Sequence, residues 1–364
     1  IMISASHNPY FDNGIKLING NGEKMDEETI SLVEAYLDGN LEVFGQKWEE
    51  IPFAKKEKIG CTVDYVSGRN RYIGYLISLG VYSFRGVKVA LDCANGSSWN
   101  IAKAVFDALG AKTYVINAQP DGTNINNNAG STHIGGLQKY VVENGMDVGF
   151  AYDGDADRCL LVDEKGQVID GDKIMAVCAT DLRTRGKLDG GAIVATVMSN
   201  LGLHEFCGKE KIHLVCTDVG DRHVLEKMLE CGYRLGGEQS GHMIYSEYAT
   251  TGDGQLTSLQ FLQILCRSGK KASELTACCA QYPQVLINVP VSPQRGVKEQ
   301  IMASEELLAA VRAEEERLGN DGRILLRPSG TEALIRVMVE AKTEEMANEY
   351  AEALVKVVKS LKIS

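Results

Sequence analysis

Segments of helical and strand periodicity alternate along most of the chain and predict successive α/β domains. Residues 65–79 are spaced as a helix, 87–91 alternate as a strand, 99–109 form a second helix and 112–116 a second strand. A strand, a helix and a strand within about thirty residues form a βαβ unit, whose crossover is almost always right-handed. We therefore expect a mixed sheet covered by helices in this part of the chain.

The same alternation continues to about residue 242. Strands are predicted at 147–152, 159–162, 168–170, 192–198 and 212–217. Helices are predicted at 137–143, at 172–182 with Asp172 as its N-cap, at 199–206 and at 219–230. A strand around Lys16 and an amphipathic helix at 26–37 are predicted nearer the start of the chain.

Beyond Tyr282-Pro283 the pattern is that of a small α+β domain. Strands are predicted at 285–291, 323–326 and 334–340, and helices at 304–318 and 343–361. The fold class is therefore α/β, with successive domains that contain mixed sheets and a C-terminal α+β domain. The predicted divisions are residues 1–55, 56–162, 163–285 and 286–364.

Charge and composition exclude several classes of partner. The 364 residues carry 38 basic and 49 acidic side chains, a net charge of −11, without a dense Lys/Arg run. Nucleic acid and anionic membranes are therefore not expected partners. No apolar run approaches the roughly 18 residues that a membrane-spanning helix needs. Ten cysteines without a CxxC pair favour a reduced, cytoplasmic protein.

The sequence Asp153-Gly154-Asp155-Ala156-Asp157-Arg158 is the clearest candidate site. In an extended loop the three carboxylates would lie on one side, because alternate residues point the same way. Their hard oxygens suit Mg²⁺ or Ca²⁺. A solvated acidic turn is the alternative. The preceding apolar segment, 147–152, favours a ligand site, because α/β proteins bind ligands at the carboxyl ends of strands.

Ser6 and His7 form a second polar loop near the start of the chain. A Ser/His hydrolase pair is one interpretation, although adjacent residues rarely face each other and no Asp partner is recognisable. A serine that carries phosphate beside a cation is the second. A simple turn serine is the third.

Two further loops carry groups that suit a sugar phosphate. RPSGTE at 327–332 offers a guanidinium, hydroxyls and a turn of backbone amides to phosphate oxygens, although it could equally be only a turn. In GGEQSGH at 236–242, Glu238 and Ser240 could bind sugar hydroxyls. His242 could transfer protons, but an isolated histidine is more often structural. Together the four loops predict phosphoryl transfer between positions on a sugar.

The chain resembles the α-D-phosphohexomutase superfamily over essentially its whole length. The motifs that carry this resemblance are SASHNPYFDNGIK at 4–16, DGDADR at 153–158, GGEQSGH at 236–242 and RPSGTEALIRVM at 327–338. EQSGH and the alanine inside DGDADR are more similar to the glucosamine branch of the superfamily than to its phosphomannomutase branch.

The resemblance implies a role for each motif. Ser6 would carry phosphate and, with Asp153, Asp155 and Asp157, bind one Mg²⁺. The catalytic residues would be Ser6, Lys16, Arg158 and His242. The substrate-binding residues would be Glu238 and Ser240 for hydroxyls, and Arg327, Ser329, Gly330 and Thr331 for the non-reacting phosphate.

The implied reaction converts glucosamine 6-phosphate to glucosamine 1-phosphate, with glucosamine 1,6-bisphosphate as activator and intermediate. The alternatives are a phosphomannomutase or phosphoglucomutase on the same scaffold, or an inactive fragment that binds sugar phosphates. A homodimer is a further hypothesis. Members have four domains, and most of the first would precede Ser6, so we expect the chain to begin within that domain. His223 stands where an aromatic residue is expected and receives no role.

Overall fold

The computed structural model describes residues 1–294, 296–329 and 332–361. Its α-helices are α1 (Glu27–Leu37), α2 (Val66–Leu79), α3 (Ala102–Ala108), α4 (Gly135–Asn144), α5 (Gly171–Thr184), α6 (Leu201–Glu210), α7 (Asp221–Cys231), α8 (Gly254–Ser268), α9 (Ala272–Thr276), α10 (Val297–Met302), α11 (Glu305–Leu318) and α12 (Glu344–Ser360). Its strands are β1 (Met2–Ser4), β2 (Gly14–Lys16), β3 (Lys88–Asp92), β4 (Lys112–Ile116), β5 (Val148–Tyr152), β6 (Cys159–Asp163), β7 (Val168–Ile169), β8 (Ala192–Thr196), β9 (His213–Thr217), β10 (Leu235–Gly237), β11 (Met243–Tyr245), β12 (Gln284–Pro290), β13 (Gly322–Pro328) and β14 (Leu334–Ala341).

These elements form two compact units. The N-terminal unit comprises residues 1–198 and 212–278, and the C-terminal unit comprises residues 199–211 together with 279–364. Helix α6 therefore belongs to the C-terminal unit, although both neighbouring strands, β8 and β9, belong to the N-terminal unit.

Three sheets make up the N-terminal unit. A five-stranded sheet has the order β4-β3-β5-β6-β7, in which β3 is parallel to β4 and β5 while β6 and β7 continue antiparallel. A four-stranded sheet has the order β11-β10-β8-β9, with only β11 antiparallel. Strands β1 and β2 form a separate antiparallel pair. Mixed sheets of this kind confirm the predicted fold class.

Strand β5 lies at the centre of the five-stranded sheet, and all five of its residues are buried. On one face Phe150 stacks on Phe106 with ring centroids 5.7 Å apart, and Phe106 in turn packs against Phe84. On the other face Gly149 lets α4 approach, because an added Cβ would lie only 2.7 Å from Val141. This two-sided burial fixes the carboxyl end of β5, where Asp153 begins the acidic loop.

The C-terminal unit contains an antiparallel sheet of order β12-β14-β13. Its core joins apolar side chains of that sheet with those of α10, α11 and α12. Glu340 on β14 is fully buried, pairs with Arg323 at 3.2 Å and accepts a hydrogen bond from the Leu201 amide at 2.8 Å. The buried pair thus fixes the start of α6 to the sheet, and the predicted α+β architecture is confirmed.

Three local predictions differ from the structure. Helix α5 begins at Gly171 and is capped by Asp170, whose side chain accepts from the Lys173 amide, so Asp172 is inside the first turn rather than the cap. The predicted helix 99–109 is interrupted, because Ser97–Asn100 is a 3-10 helix that precedes α3. The boundary predicted at residue 162 falls inside β6, and its sheet continues through β7.

Among the residues that the structure describes, no helix combines the length and the apolar character that crossing a bilayer requires.

Candidate active site

Asp153, Asp155 and Asp157 converge at the carboxyl end of β5. Their ligand oxygens lie within 4.8 Å of one another. The loop turns rather than remaining extended, because Ala156 has a left-handed backbone with φ of 61°. The convergence was predicted correctly, but the extended geometry assumed for it was wrong.

The acidic loop holds more negative charge than its hydrogen bonds satisfy. Each of the three aspartates has a buried oxygen that accepts no hydrogen bond from any described residue. Burial, and then the nearby Asp157 and Asp155, raise the pKa of Asp153 to about 9. Such an array fits a hard divalent cation. The cation would bind the carboxylate oxygens that accept no hydrogen bond and would reduce the repulsion between the three carboxylates.

The loop that carries Ser6 is bound directly to the acidic loop. The Gly154 amide donates to the Ser6 carbonyl at 3.0 Å, and Asn126 Nδ2 donates to the carbonyls of Ser6 and Asn8 at 2.8 Å each. A Cβ on Gly154 would lie 2.4 Å from the Ser6 carbonyl oxygen. The two loops can be this close only because residue 154 is glycine.

Ser6 itself is half-buried and has a left-handed backbone with φ of 52°. Its Oγ lies 3.4 Å from His7 Nδ1, which is longer than an ordinary hydrogen bond. This contact between adjacent residues on an exposed loop does not resemble a hydrolase triad, in which a buried acid orients the histidine.

Lys16 faces the acidic loop from β2. Its Nζ lies 2.6 Å from Asp155 Oδ2 and 3.7 Å from Asp157 Oδ2. Burial alone would lower the pKa of Lys16, but the hydrogen bond and the negative charge of Asp155 outweigh it and raise that pKa. The same contact acts on Asp155: burial opposes it, but hydrogen bonds with Asp153 and Lys16 lower the pKa of Asp155.

His242 reaches the acidic loop from the turn between β10 and β11. Its ring is almost fully buried, with Nδ1 3.6 Å from Asp157 Oδ2 and Nε2 3.4 Å from Asp221 Oδ2. The Gly252 amide donates to Nε2 at 3.1 Å. Arg158 forms an antiparallel backbone bridge with His242, and the Arg158 Nε is buried without an acceptor among the described residues.

Glu238 and Ser240, the other candidates in the GGEQSGH loop, differ from His242 in what they contact. Glu238 Oε1 accepts from the Gly220 amide at 3.2 Å, and Ser240 is exposed. A cavity of about 570 Å³ is lined by Lys16, Asp155 and Asp157, whereas Glu238 and Ser240 are not among its lining residues. The structure therefore brings the serine loop, the acidic loop, Lys16 and His242 together. The two hydroxyl-binding candidates, Glu238 and Ser240, do not line the cavity.

The predicted phosphate loop lies in the C-terminal unit. Arg327 on β13 is directly opposite Arg336 on β14, and burial together with the charge of Arg336 lowers the pKa of Arg327. Two adjacent guanidiniums suit an anion. Lys298 Nζ donates to the carbonyls of Ser329 and Glu332. Gly330 and Thr331 lie outside the described residues.

Sequence reasoning missed the residues that support the site. Asn126 and Lys298 belong to no motif that was singled out. Asn126 lies in the segment 120–136, whose many Asn and Gly residues predict only a surface loop. Its left-handed φ of 57° is a conformation that asparagine adopts more readily than most residues, so the composition was a usable signal.

Comparisons with known proteins agree with this geometry. Four phosphoglucomutase/phosphomannomutase domain families match the chain in order: domain I at residues 1–43, domain II at 70–166, domain III at 170–282 and the C-terminal domain at 286–357. A phosphoglucosamine mutase from Lachnospira eligens is 56% identical over 360 residues, which are 99% of this chain and 78% of that protein. The chain belongs to the phosphohexomutase superfamily.

Other phosphohexomutases extend the comparison. A phosphoglucosamine mutase from Lachnoclostridium phytofermentans is 53% identical over 99% of this chain and 78% of its own length. The crystal structure of Aspergillus fumigatus N-acetylphosphoglucosamine mutase, in complex with GlcNAc-6P and magnesium, matches 99% of this chain and 88% of that one with a TM-score of 0.76. A phosphoglucomutase/phosphomannomutase family protein from Burkholderia thailandensis matches 98% and 75% with a TM-score of 0.75. These two structures are 19% and 21% identical and share the fold.

Proposed function

We propose that this chain is a phosphoglucosamine mutase, which interconverts glucosamine 6-phosphate and glucosamine 1-phosphate through a phosphorylated Ser6 and glucosamine 1,6-bisphosphate. The observation that carries the proposal is the junction between the serine loop and the acidic loop, where the Gly154 amide binds the Ser6 carbonyl. The two relatives that carry this name and are 56% and 53% identical over nearly the whole chain support it.

The reaction moves a phosphoryl group twice. In the first step the sugar O1 attacks the phosphorus on Ser6, the bond between phosphorus and Ser6 Oγ breaks, and the O1 proton passes to a base. In the second step Ser6 Oγ takes the phosphoryl group from the sugar O6, which regains a proton. The sum is an isomerisation without a co-substrate, so the protein contributes position and charge rather than a reagent.

Lys16 and His242 are the candidates for proton transfer. Lys16 lines the cavity and its Nζ contacts Asp155, so its ammonium would lie beside the transferred group. His242 faces the acidic loop through Nδ1. The Arg158 guanidinium, whose Nε is buried, would stabilise charge on the transferring phosphate.

One Mg²⁺ would be held by Asp153, Asp155, Asp157 and the phosphate on Ser6. Their hard oxygens, three of which are buried without hydrogen bonds from described residues, support this choice. When bound, the ion would neutralise the charge of the phosphoryl oxygens.

Substrate recognition is assigned to two loops. Glu238 and Ser240 would bind sugar hydroxyls, while Arg327, Ser329, Gly330 and Thr331 would bind the non-reacting phosphate. The facing pair Arg327 and Arg336 supports an anion there. Both loops must accept two orientations of the sugar, because each phosphate reacts in turn.

The four-domain division, a homodimer and a cytoplasmic location belong to the same proposal. The domain borders predicted at 55 and 285 are retained, whereas the border predicted at 162 moves beyond β7, because β7 pairs with β6 in the same sheet. The cysteine pattern supports the cytoplasm. Analytical ultracentrifugation would test the dimer, which the proposed chemistry does not require.

Intact-mass measurement tests the carrier role of Ser6. The full chain is incubated with glucose 1,6-bisphosphate and Mg²⁺, and we expect one added phosphate. Ser6→Ala should abolish the adduct, whereas Ser78→Ala, on α2, should retain it. An adduct that survives Ser6→Ala contradicts the proposal. Sugar-phosphate binding without any adduct would instead support the inactive-fragment alternative.

Turnover of the 6-phosphates of glucosamine, mannose and glucose tests the substrate. We expect the highest kcat/KM for glucosamine 6-phosphate. A preference for mannose or glucose 6-phosphate would transfer the assignment to a phosphomannomutase or phosphoglucomutase.

A further inference from the structure

We infer that Tyr72 is a positioning residue for His242, acting through Asp253 and Gly252. This inference rests on the proposed function, since His242 has a catalytic role only within it. Tyr72 lies on α2, far in sequence from the other three residues, and belongs to none of the motifs that identify the family here.

The first link is a hydrogen bond between α2 and the start of α8. Tyr72 Oη donates to the Asp253 carboxylate and lies 2.9 Å from Oδ1 and 2.7 Å from Oδ2. Asp253 is also the N-cap of α8, because Oδ1 accepts from the Leu256 amide at 2.9 Å. A residue held on both sides in this way has little freedom to move.

The second link runs from Asp253 to the histidine ring. Gly252 precedes Asp253, and its amide donates to His242 Nε2 at 3.1 Å. A Cβ on Gly252 would lie between 2.2 and 2.5 Å from three atoms of the imidazole. The ring therefore packs directly against the Gly252 backbone, and a shift of Asp253 would move the surface on which the ring rests.

The link also selects a tautomer. A ring nitrogen that accepts a hydrogen bond carries a lone pair, so the proton of the neutral ring is on Nδ1. That atom faces the acidic loop, 3.6 Å from Asp157 Oδ2. The arrangement holds a proton on the side of the ring where the phosphoryl transfer is proposed.

Asp221 favours the other tautomer of His242. Its Oδ2 lies 3.4 Å from His242 Nε2 and would favour a proton there. Lys24 Nζ contacts the same Oδ2 at 2.5 Å and offsets its charge. The Gly252 amide, held by Asp253 and Tyr72, is thus the group that keeps Nε2 an acceptor.

Nuclear magnetic resonance of the full chain with ¹⁵N-labelled histidine tests the inference directly. The ring signals of His242 are assigned from their loss in His242→Asn. We expect the wild type to show a single tautomer with the proton on Nδ1, and Tyr72→Phe to show a mixture of tautomers. Tyr75→Phe is the matched control, because Tyr75 Oη donates to the Tyr248 carbonyl in the loop before Asp253 rather than to the Asp253 carboxylate. A wild-type His242 protonated on Nε2, or signals unchanged by Tyr72→Phe, would overturn the inference.

Kinetics supply the second measurement. Tyr72→Phe should lower kcat for glucosamine 6-phosphate about 10-fold, less than the roughly 100-fold cost of a 1 Å misplacement, with KM changed by less than about twofold. Asp253→Asn, which keeps a capping oxygen, should act in the same direction. A kcat for Tyr72→Phe equal to that of Tyr75→Phe would also overturn the inference. If wild type turns over no hexose phosphate, the proposed function fails, and the tautomer measurement still decides the position of the ring.

Discussion

The Gly154 amide donates to the Ser6 carbonyl over 3.0 Å and joins two loops that are distant in sequence. Because both partners are backbone groups, the position of the serine relative to the acidic loop does not depend on a flexible side chain. Asn126 adds two hydrogen bonds to the same serine loop.

Replacing Gly154 with alanine should separate the two loops. The new Cβ would lie 2.4 Å from the Ser6 carbonyl oxygen, and such overpacking costs about 1–3 kcal/mol. We expect phosphate uptake by Ser6 to fall at least about 100-fold, because the serine moves away from its reaction geometry. Gly136→Ala is the control, since nothing lies within 4 Å of its added Cβ. Uptake at the wild-type rate in Gly154→Ala would show that the junction does not position Ser6.

Replacing Asp155 with asparagine should weaken cation binding while leaving the fold intact. Loss of one carboxylate removes a ligand and the partner of Lys16 Nζ. Mutation of residues that only hydrogen-bond to metal ligands typically lowers activity about 10- to 100-fold. Because Asp155 is itself a proposed ligand, we expect the rate of phosphoryl transfer to fall at least about 100-fold. Calorimetric Mg²⁺ titration checks the cause, with the exposed Asp64→Asn as control. Full activity in excess chelator would contradict the metal role.

Replacing Arg327 with alanine should chiefly weaken substrate binding. A hydrogen bond to a charged group contributes about 1.5–3 kcal/mol, so we expect KM to rise about 10-fold or more with little change in kcat. Arg312→Ala, on the exposed side of α11, should leave both constants unchanged. An unaltered KM in Arg327→Ala would remove Arg327 from the phosphate loop.

Replacing Glu340 with glutamine should destabilise the C-terminal unit. Removing one partner of a buried ion pair typically costs about 3–5 kcal/mol, because the other charge stays buried. Lys342→Gln is the control: its pair with Asp321 is exposed, and such pairs contribute at most about 1 kcal/mol. Urea unfolding measures the free energy of unfolding of both variants. A Glu340→Gln loss no larger than that of Lys342→Gln would show that the buried pair does not hold the unit.

Acidification should weaken the C-terminal unit through His204. Burial, and then the charge of Arg323, whose Nη1 lies 3.3 Å from His204 Nε2, lower the pKa of His204 below its ordinary 6.5. The stability this histidine contributes is present above pH 6.5 and is lost as the pH falls through its folded-state pKa, because the unfolded chain binds the proton first. Urea midpoints between pH 7.5 and 5.5 should therefore fall less in His204→Gln than in wild type. In the exposed His133→Gln the full decrease should remain, and an equal decrease in all three proteins would rule out His204 as the cause.

Local sequence patterns predicted the features that depend on residues adjacent in the sequence. The strand 147–152 and the convergence of Asp153, Asp155 and Asp157 follow from a buried apolar run and the spacing after it. The cap of α5 was misassigned to Asp172 because Asp170, two residues earlier, has the same capping chemistry. Sequence spacing alone does not choose between them.

Contacts between distant residues were not predictable in this way. Tyr72 contacts Asp253, and Asn126 contacts Ser6, because the tertiary fold brings together residues that are far apart in the sequence. Periodicity reports which face of an element is apolar and carries no information on which polar side chain lies across a cleft. The membership of α6 in the C-terminal unit has the same origin, since it depends on Glu340 and Leu201.

Because Asn126 and Gly154 hold the serine loop from one side of its backbone, that loop has little need to rearrange between half-reactions. Under the proposed function, the intermediate turns while the phosphate-carrying serine stays in place. Loosening this anchorage should then slow phosphoryl transfer to and from both O1 and O6 of the sugar by the same factor, which would leave the partition of the bisphosphate between the two sugar phosphates unchanged.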